Sequence, residues 1–530
     1  MPISGKLFIN GAWVQGEGGT YHASNPATKS EIEPAMSMAS SEQVDAAIKA
    51  AELAAPAFRN SSLQKRAEFL RTCADEIMAL GDELLERVTA ETGYPRARGE
   101  MERGRTCNQL RLFADTIETG DYLDARIDTA MPDRQPLPRP DLRHLNQAIG
   151  PVVVFGASNF PLAFSVAGGD SAAAFAAGCP VLVKGHSSHP GTSELVAHAV
   201  ATAVEKCGLP KGIFSLLMGS GSKVGAALVK APAVKAVGFT GSLAGGMALV
   251  EIANARPEPI PVFAEMGSIN PVILLPDALA NNADGIATGF VGSLTLGTGQ
   301  FCVNPGLVIA IDDDNLQTFI TTASAAVAEV QAGVMLNERI CTAYCDGLQE
   351  YSSHDGVEVI SAGGSAEGQD GYCGQATLMT ATADYFLQNT AIHEEVFGPA
   401  SLIVKCKNKD EILRVVTALK GQLTGTIHCA DGELASYTEL TDLLSLRVGR
   451  IVINGFPTGV EVCHAMVHGG PFPASTDSRF TSVGTSSIKR FIRPVCYQGF
   501  PEALLPDALR NANPLGLLRL VNGVKTTDAI

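Results

Sequence analysis

Beyond Pro151 the chain alternates short apolar runs with helix-length segments, and few folds tolerate that alternation. Residues 152–155 read as a strand, 171–177 as a small-residue helix closed by Gly178, and 180–183 as a second strand. A helix over 192–207 stops at Gly208 and Pro210. A strand over 213–217 then precedes a helix over 223–230, and a strand over 234–239 precedes a helix that begins after Gly241 and Ser242. Strands joined through helices run parallel, because a tight turn only reverses direction. The pattern predicts an α/β fold with a doubly wound parallel sheet, whose ligands sit at the carboxyl ends of the strands. A nucleotide is the natural candidate. No GxGxxG fingerprint follows the first strand, so the simplest Rossmann phosphate turn is not supported.

The rest of the chain frames that sheet. Its 530 residues and 46% hydrophobic content are ample for a large core and suggest two or three domains. Behind Ser41 and Glu42, the residues Val44, Ala47, Ile48, Ala51 and Ala55 have helical spacing, and residues 64–80 and 82–92 continue as packing helices. Residues 121–147 hold Pro132, Pro136, Pro138 and Pro140 among Asp and Arg, which is poor core material. That segment reads as an excursion, either an arm or hairpin touching another subunit or a solvated loop. A net charge of -16 leaves no basic footprint, which argues against nucleic acid and membrane as partners. The first ten residues lack a leader pattern and no apolar run reaches spanning length, which points to the cytoplasm. The twelve cysteines include no CxxC pair and read as reduced thiols. Cys341 with Cys345, His186 with His189, and His464 with His468 each lack a matching second pair, so no metal is expected.

One thiol stands apart. Cys302 follows Gly299, Gln300 and Phe301, and a sulfur that attacks a carbonyl needs donors for the resulting oxyanion and a carboxylate able to activate water. Asn159 and Glu265, the latter in Glu265-Met266-Gly267-Ser268, supply both chemistries; the alternative is a plain buried thiol. The ordered series Asn159-Phe160-Pro161, Val183-Lys184, Phe239-Thr240-Gly241-Ser242, Glu265-Met266-Gly267, Gly299-Gln300-Phe301-Cys302 and Glu395-Val396-Phe397-Gly398-Pro399 resembles the aldehyde dehydrogenase superfamily over nearly the whole chain. Each motif alone is weak; their joint order and spacing are specific.

The resemblance implies roles position by position. Cys302 would attack an aldehyde to give a thiohemiacetal, with Asn159 and the Cys302 amide holding the oxyanion. Hydride loss to the cofactor would leave a thioester, and Glu265 would aim water at it, which favours hydrolysis over transfer to coenzyme A. Two positions depart from the family pattern: Ser158 replaces a common tryptophan, and Ser268-Ile269 replaces a common Gly-Lys. Ser187 stands where relatives that prefer NAD often carry a glutamate, and Lys184 and Lys223 add positive charge, which together imply NADP as the cofactor, with NAD possible. Gly241 and Ser242 would meet the pyrophosphate, Glu395 the second ribose, and Phe397 would pack beside it.

For the aldehyde, the tail from Cys463 to Thr476, with Ser482-Val483-Gly484-Thr485 and residues 493–498, is similar to one branch of the superfamily. That branch includes α-ketoglutaric semialdehyde (2,5-dioxopentanoate) dehydrogenases and NADP-dependent fatty aldehyde dehydrogenases. The acidic aldehyde is the expected substrate. Arg111, on a helix over 103–116, is the candidate clamp for its carboxylate, while Phe160, Phe301 and Phe456 would form an apolar wall. His464 and His468 could assist proton movement, although the ordinary state of such a histidine is a ring satisfied by a backbone hydrogen bond. A noncatalytic scaffold on the same fold and a cysteine-dependent esterase are the competing functions.

The expected architecture is aldehyde dehydrogenase-like. A Rossmann-type nucleotide domain spans 1–120 and 148–261, an α/β catalytic domain spans 262–454, and 121–147 with 455–530 form an oligomerisation arm and C-terminal segment. The resemblance implies a homodimer or homotetramer joined through that arm.

Overall fold

All four residues of Val152–Phe155 are buried, as are those of Val181–Lys184 and Phe214–Leu217. Inner strands of a parallel sheet covered on both faces require this, and their Val, Leu and Phe content satisfies it. The computed structural model describes residues 3–530. From Val152–Phe155 at the centre the chain lays Val181–Lys184 and Phe214–Leu217 to one side. It then returns to add Ala236–Thr240 and Val262–Glu265 on the other, all in parallel. Strand order reverses between Val152–Phe155 and Ala236–Thr240, so a crevice opens at their carboxyl ends, where ligands of open α/β sheets bind.

The N-terminal stretch adds strands that helical periodicity hides. Leu7–Ile9 and Ala12–Val14 form a hairpin that extends the sheet antiparallel beside Phe214–Leu217, and Thr20–Ser24 pairs with Glu31–Ser37. Three-residue strands hold too few residues for an alternation to register. The helices Ser41–Arg59, Leu63–Ala79, Gly81–Thr92 and Arg96–Thr119 then form, the first closed by a capping box between Ser40 and Gln43. The helix expected over 223–230 begins instead as a π-helical turn, Gly221–Gly225, with α geometry only over Ala226–Lys230.

A second seven-stranded sheet holds, in spatial order, Glu358–Ala362, Thr377–Thr382, Ala400–Cys406, Leu307–Ile311, Pro271–Leu274, Gln422–His428 and Val448–Ile453. Only its edge strand Glu358–Ala362 runs antiparallel. The proline-rich excursion is neither a free loop nor an isolated hairpin. Its strands Arg126–Asp128 and Leu142–Ala148 join Ile492–Gln498, Arg519–Val521 and Val524–Thr526 from the C-terminus in one five-stranded sheet, with the prolines in the connecting loop. Between these units residues 455–484 cross back over the carboxyl end of Val262–Glu265. There Glu265 bridges to Ser475, and Met266 N donates to Ala474 O (2.8 Å). Among the described residues no helix is long and apolar enough to cross a membrane.

The C-terminal stretch is locked to the helix Gly169–Ala177, beside the first sheet, by a buried ion pair, Arg490 Nη1 to Asp170 Oδ1 at 2.7 Å, with both side chains under a tenth exposed. Removing one partner of such a pair leaves an uncompensated charge. Arg490→Ala is expected to lower stability by about 3–5 kcal/mol in urea unfolding, whereas Arg479→Ala, which breaks an exposed pair with Asp477, should cost under about 1 kcal/mol.

Candidate active site

Cys302 sits in a loop whose path is set by backbone proximity. Gly297, Thr298 and Gly299 all take left-handed φ values, 56°, 57° and 64°, and the missing Cβ of Gly299 lets the loop lie directly against the backbone of Gly398. The Gly299 and Gly398-Pro399 motifs are thus two halves of one contact, reinforced by Asn304 Nδ2 donating to Gly398 O (3.0 Å). Asn270 Nδ2 donates to Cys302 O (2.9 Å), to Asn304 O (2.9 Å) and to Ser268 O (3.1 Å). The departure at Ser268 has a local use. Its hydroxyl lies 2.9 Å from both Asn270 Oδ1 and Gln422 Oε1 and accepts from Leu423 N.

Around the thiol the structure brings together the three residues expected from sequence, and adds a fourth and a fifth. Asn159 Nδ2 donates to Gln300 O (3.0 Å), which leaves its second N–H unengaged; the amide of Cys302 has no backbone partner among the described residues. Glu265, at the end of its strand and almost fully buried, has Oε1 2.9 Å from His468 Nε2, and its Oε2 accepts from Ser482 Oγ (2.5 Å). The same His468 Nε2 lies 3.3 Å from Cys302 Sγ. His468 is therefore not the histidine satisfied by backbone: its Nδ1 has no hydrogen-bond partner, while Nε2 touches both reactive groups. His464 is exposed and turns to Thr485 Oγ1, away from the site. Metal-ligand spacing also arises here and not in the pairs read from sequence, since donor atoms of Glu265, Cys302 and His468 lie within 4.8 Å of one another.

These contacts set the charges. Burial raises the Glu265 carboxyl, but His468, Ser482 and Cys302 together outweigh it and hold the group below the usual carboxylate range. Burial, followed by the charge and hydrogen bond of Glu265, pushes the Cys302 thiol well up. The resting pair is a carboxylate beside a protonated thiol.

At the dinucleotide crevice Lys184 ends its strand almost buried, and burial drives its ammonium down to about 8. Ser187 is exposed near it. Lys223 is exposed as well, and its backbone amide donates to Ser220 Oγ (3.2 Å). Ser242 caps the helix Leu243–Asn254 through Gly245 N, and Gly241 leads into it. Glu395 reaches Gly267 so closely that a Cβ there would lie 2.6 Å from its Oε2, and burial raises its carboxyl to about 7 despite a hydrogen bond from Ser268 N. Phe397 lines the same pocket as Ser268, Phe301 and Glu395.

On the opposite side, Phe160 meets Phe301 edge to face at 5.3 Å beside Cys302. Phe456 lies elsewhere, against His428 (4.8 Å) and Phe290 beside the core of the second sheet, with the edge of its ring against Gly289. Arg111 is likewise not delivered to the thiol: it is exposed and paired with Asp75 at 2.8 Å. The expected helix over 103–116 spans Arg96–Thr119, and at 3.6 residues per turn Arg98, Glu102 and Arg105 share a face that Arg111 does not. Arg98 lies over the Phe160 and Phe301 rings at 4.6 and 4.4 Å, and Arg105 over Phe164 at 5.2 Å. His468 and Ser482 fall in the tail motifs, but only folding shows that they meet Glu265; the arginines carry no sequence signal beyond helical phase.

Replacing Glu265 with Gln removes the charge that raises the thiol. The pH midpoint for iodoacetamide labelling of Cys302, followed by peptide mass spectrometry, should fall, with labelling at neutral pH about tenfold faster for each unit of that fall.

Residues 13–483 match the aldehyde dehydrogenase family. The chain is 54% identical over 524 residues to alpha-ketoglutaric semialdehyde dehydrogenase 2 of Azospirillum brasilense, covering 99% of each chain. It is 46% identical over 528 residues to alpha-ketoglutaric semialdehyde dehydrogenase of Acinetobacter baylyi, again with 99% of each covered. Among solved structures, a point mutant of betaine aldehyde dehydrogenase from Staphylococcus aureus in complex with NAD+ has a TM-score of 0.81 at 19% identity, over 94% of this chain and 98% of that one. A mutant of aldehyde dehydrogenase C from Pseudomonas syringae, in complex with NAD+ and octanal, gives 0.80 at 21% identity over 94% and 98%. The fold is shared with both, and the chain belongs to the aldehyde dehydrogenase family, as an enzyme that oxidises aldehydes.

Proposed function

We propose that the aldehyde is α-ketoglutaric semialdehyde, oxidised to 2-oxoglutarate with NADP and water. The two relatives that share nearly half or more of its residues end to end carry that name. The observation that carries the hydrolytic route is the Glu265 carboxylate held between His468 and Ser482 while it touches Cys302.

Each step uses those contacts. Glu265, ionised at rest, takes the thiol proton as sulfur bonds to the aldehyde carbon. The free N–H of Asn159 and the Cys302 amide receive the oxyanion. Held by Lys184, Gly241, Ser242 and Glu395, a nicotinamide dinucleotide would supply the hydride acceptor that oxidation of the Cys302 thiohemiacetal to a thioester requires. Once Glu265 has passed the thiol proton to solvent, it removes a proton from water as the water oxygen bonds to the thioester carbon; the C–S bond breaks, the acid leaves, and Glu265 returns its proton to the sulfur. His468 keeps the carboxylate aimed through Nε2, and Ser482 fixes its other oxygen.

The crevice residues fit a dinucleotide. Lys184 is a nearly buried ammonium at a strand's carboxyl end, Gly241 and Ser242 lie at a helix start, and Glu395 presses on the Gly267 backbone. The preference for NADP rests on Ser187, which offers no charge to repel a 2'-phosphate, with the positive charges of Lys184 and the exposed Lys223. A long-chain aldehyde would need an apolar tunnel, and guanidinium groups beside Phe160, Phe164 and Phe301 do not make one. A noncatalytic scaffold would bury a thiol, imidazole and carboxylate together at a cost in stability without use. Assembly as a homodimer or homotetramer is supported by the five-stranded sheet, whose two outer strands each pair on one side only among the described residues, and by Leu137, Leu504 and Val524 standing about two-thirds exposed along these segments. The twelve unpaired cysteines suit a reducing cytoplasm.

A kcat/KM panel of both dinucleotides against α-ketoglutaric semialdehyde, succinic semialdehyde and long-chain aldehydes tests this reading. The first aldehyde with NADP should lead. Higher kcat/KM with NAD at saturating aldehyde refutes the cofactor, a preference for long apolar chains refutes the substrate, and ester turnover without dinucleotide points to an esterase. In Glu265→Gln, deacylation should slow by about 10²–10⁴-fold, so that a single turnover of NADPH appears as a burst in stopped flow before the steady rate collapses.

A further inference from the structure

Beside the thiol, three arginines keep hydrogen-bonding capacity that the protein does not use. Arg98 Nη2, Arg105 Nη1 and Arg450 Nε are buried without a hydrogen-bond partner among the described residues. A guanidinium cannot shed its proton, so each remains a charged donor in a poorly solvated place.

The contacts they do make orient them and neutralise only part of their charge. Arg98 is stacked among Tyr94, Phe160 and Phe301, at 5.0, 4.6 and 4.4 Å. Arg105 lies over Phe164 with Nε 3.5 Å from Val460 O, and Arg450 donates to Gly459 O (2.7 Å) and Pro457 O (2.5 Å). One loop therefore gathers two of them, and its Val460 joins the apolar cluster around Phe301 to which Phe160 and Cys302 also belong. The charge of Cys302 reaches both Arg105 and Arg450. Glu102 is the acid closest to this face, with Oε2 3.7 Å from Arg98 Nε, but its Oε1 is taken by the amides of Leu162 and Ala163 (2.8 and 2.9 Å). In a chain of net charge -16, three guanidinium groups thus gather here against two carboxylates, Glu102 and Glu265.

We infer that Arg105, flanked by Arg98 and Arg450, is a carboxylate-binding subsite that takes the far end of a short acidic aldehyde while its carbonyl meets Cys302. A carboxylate matches the guanidinium fork with two parallel hydrogen bonds and satisfies donors that otherwise stay unpaired. This deepens the substrate reading above and rests on it, and it moves the clamp from Arg111 to the opposite phase of the same helix.

The full-length enzyme and its Arg105→Met and Arg105→Lys variants are compared on α-ketoglutaric semialdehyde and on pentanal, with 2-oxoglutarate binding measured by calorimetry. In Arg105→Met the kcat/KM ratio of the acidic aldehyde to pentanal should fall about 100-fold, through KM, and 2-oxoglutarate binding should be lost. Arg105→Lys, which keeps the charge and loses the fork, should recover part of both. An unchanged ratio with unchanged 2-oxoglutarate binding overturns the subsite. So does an equal loss for both aldehydes accompanied by a shifted pH profile of Cys302 alkylation, because the guanidinium would then act on the thiol. If the wild type does not prefer the acidic aldehyde yet binds 2-oxoglutarate through Arg105, the substrate reading fails and the subsite stands.

Discussion

The site depends on one buried amide. Asn270 donates to the carbonyls of Ser268, Cys302 and Asn304, so it ties the segment leaving the Glu265 strand to the loop that carries Cys302. Gln422 accepts from the amides of Ile269 and Asn270 and fixes the same segment from the second sheet. Polar groups this deep cost free energy unless every partner is in place, so the knot has one low-energy arrangement. Thiol and carboxylate inherit their separation from it.

That separation makes the two groups titrate together. A carboxylate next to a thiol disfavours a second negative charge, so Cys302 and Glu265 behave as a pair that shares a proton, and neither holds an independent protonation state. His468 stabilises the carboxylate side of this balance and has no backbone bond to distract its ring. The enzyme at rest thus carries a guarded sulfur. Its reactivity follows from what enters the site and not from a permanently exposed thiolate.

The alternation after Pro151 made the parallel sheet legible, because four-residue runs of Val, Leu and Phe have no stable place except between helices. The N-terminal hairpin was not, since three residues per strand carry no period. Cys302, Glu265 and Asn159 could be read because each lies in a motif with local backbone demands, such as the contact of Gly299 with Gly398. His468 lies 166 residues from Cys302, and Ser482 lies 217 residues from Glu265, so only the fold brings them in. The misplaced Arg111 shows the same limit in another form. Its helix was recognised, but which face of that helix looks at the thiol is decided by packing against Phe160, Phe164 and Phe301.

The five-stranded sheet pairs residues 126–148 with residues 492–526, and the stretch leading into it carries His468 and Ser482. Both seven-stranded sheets are complete by Ile453. A chain emerging from the ribosome can therefore hold its nucleophile and its carboxylate well before either has its partners. The partners of the carboxylate and the last side chains of the first core, Ile488 and Phe491 among them, arrive together with the final seventh of the polypeptide.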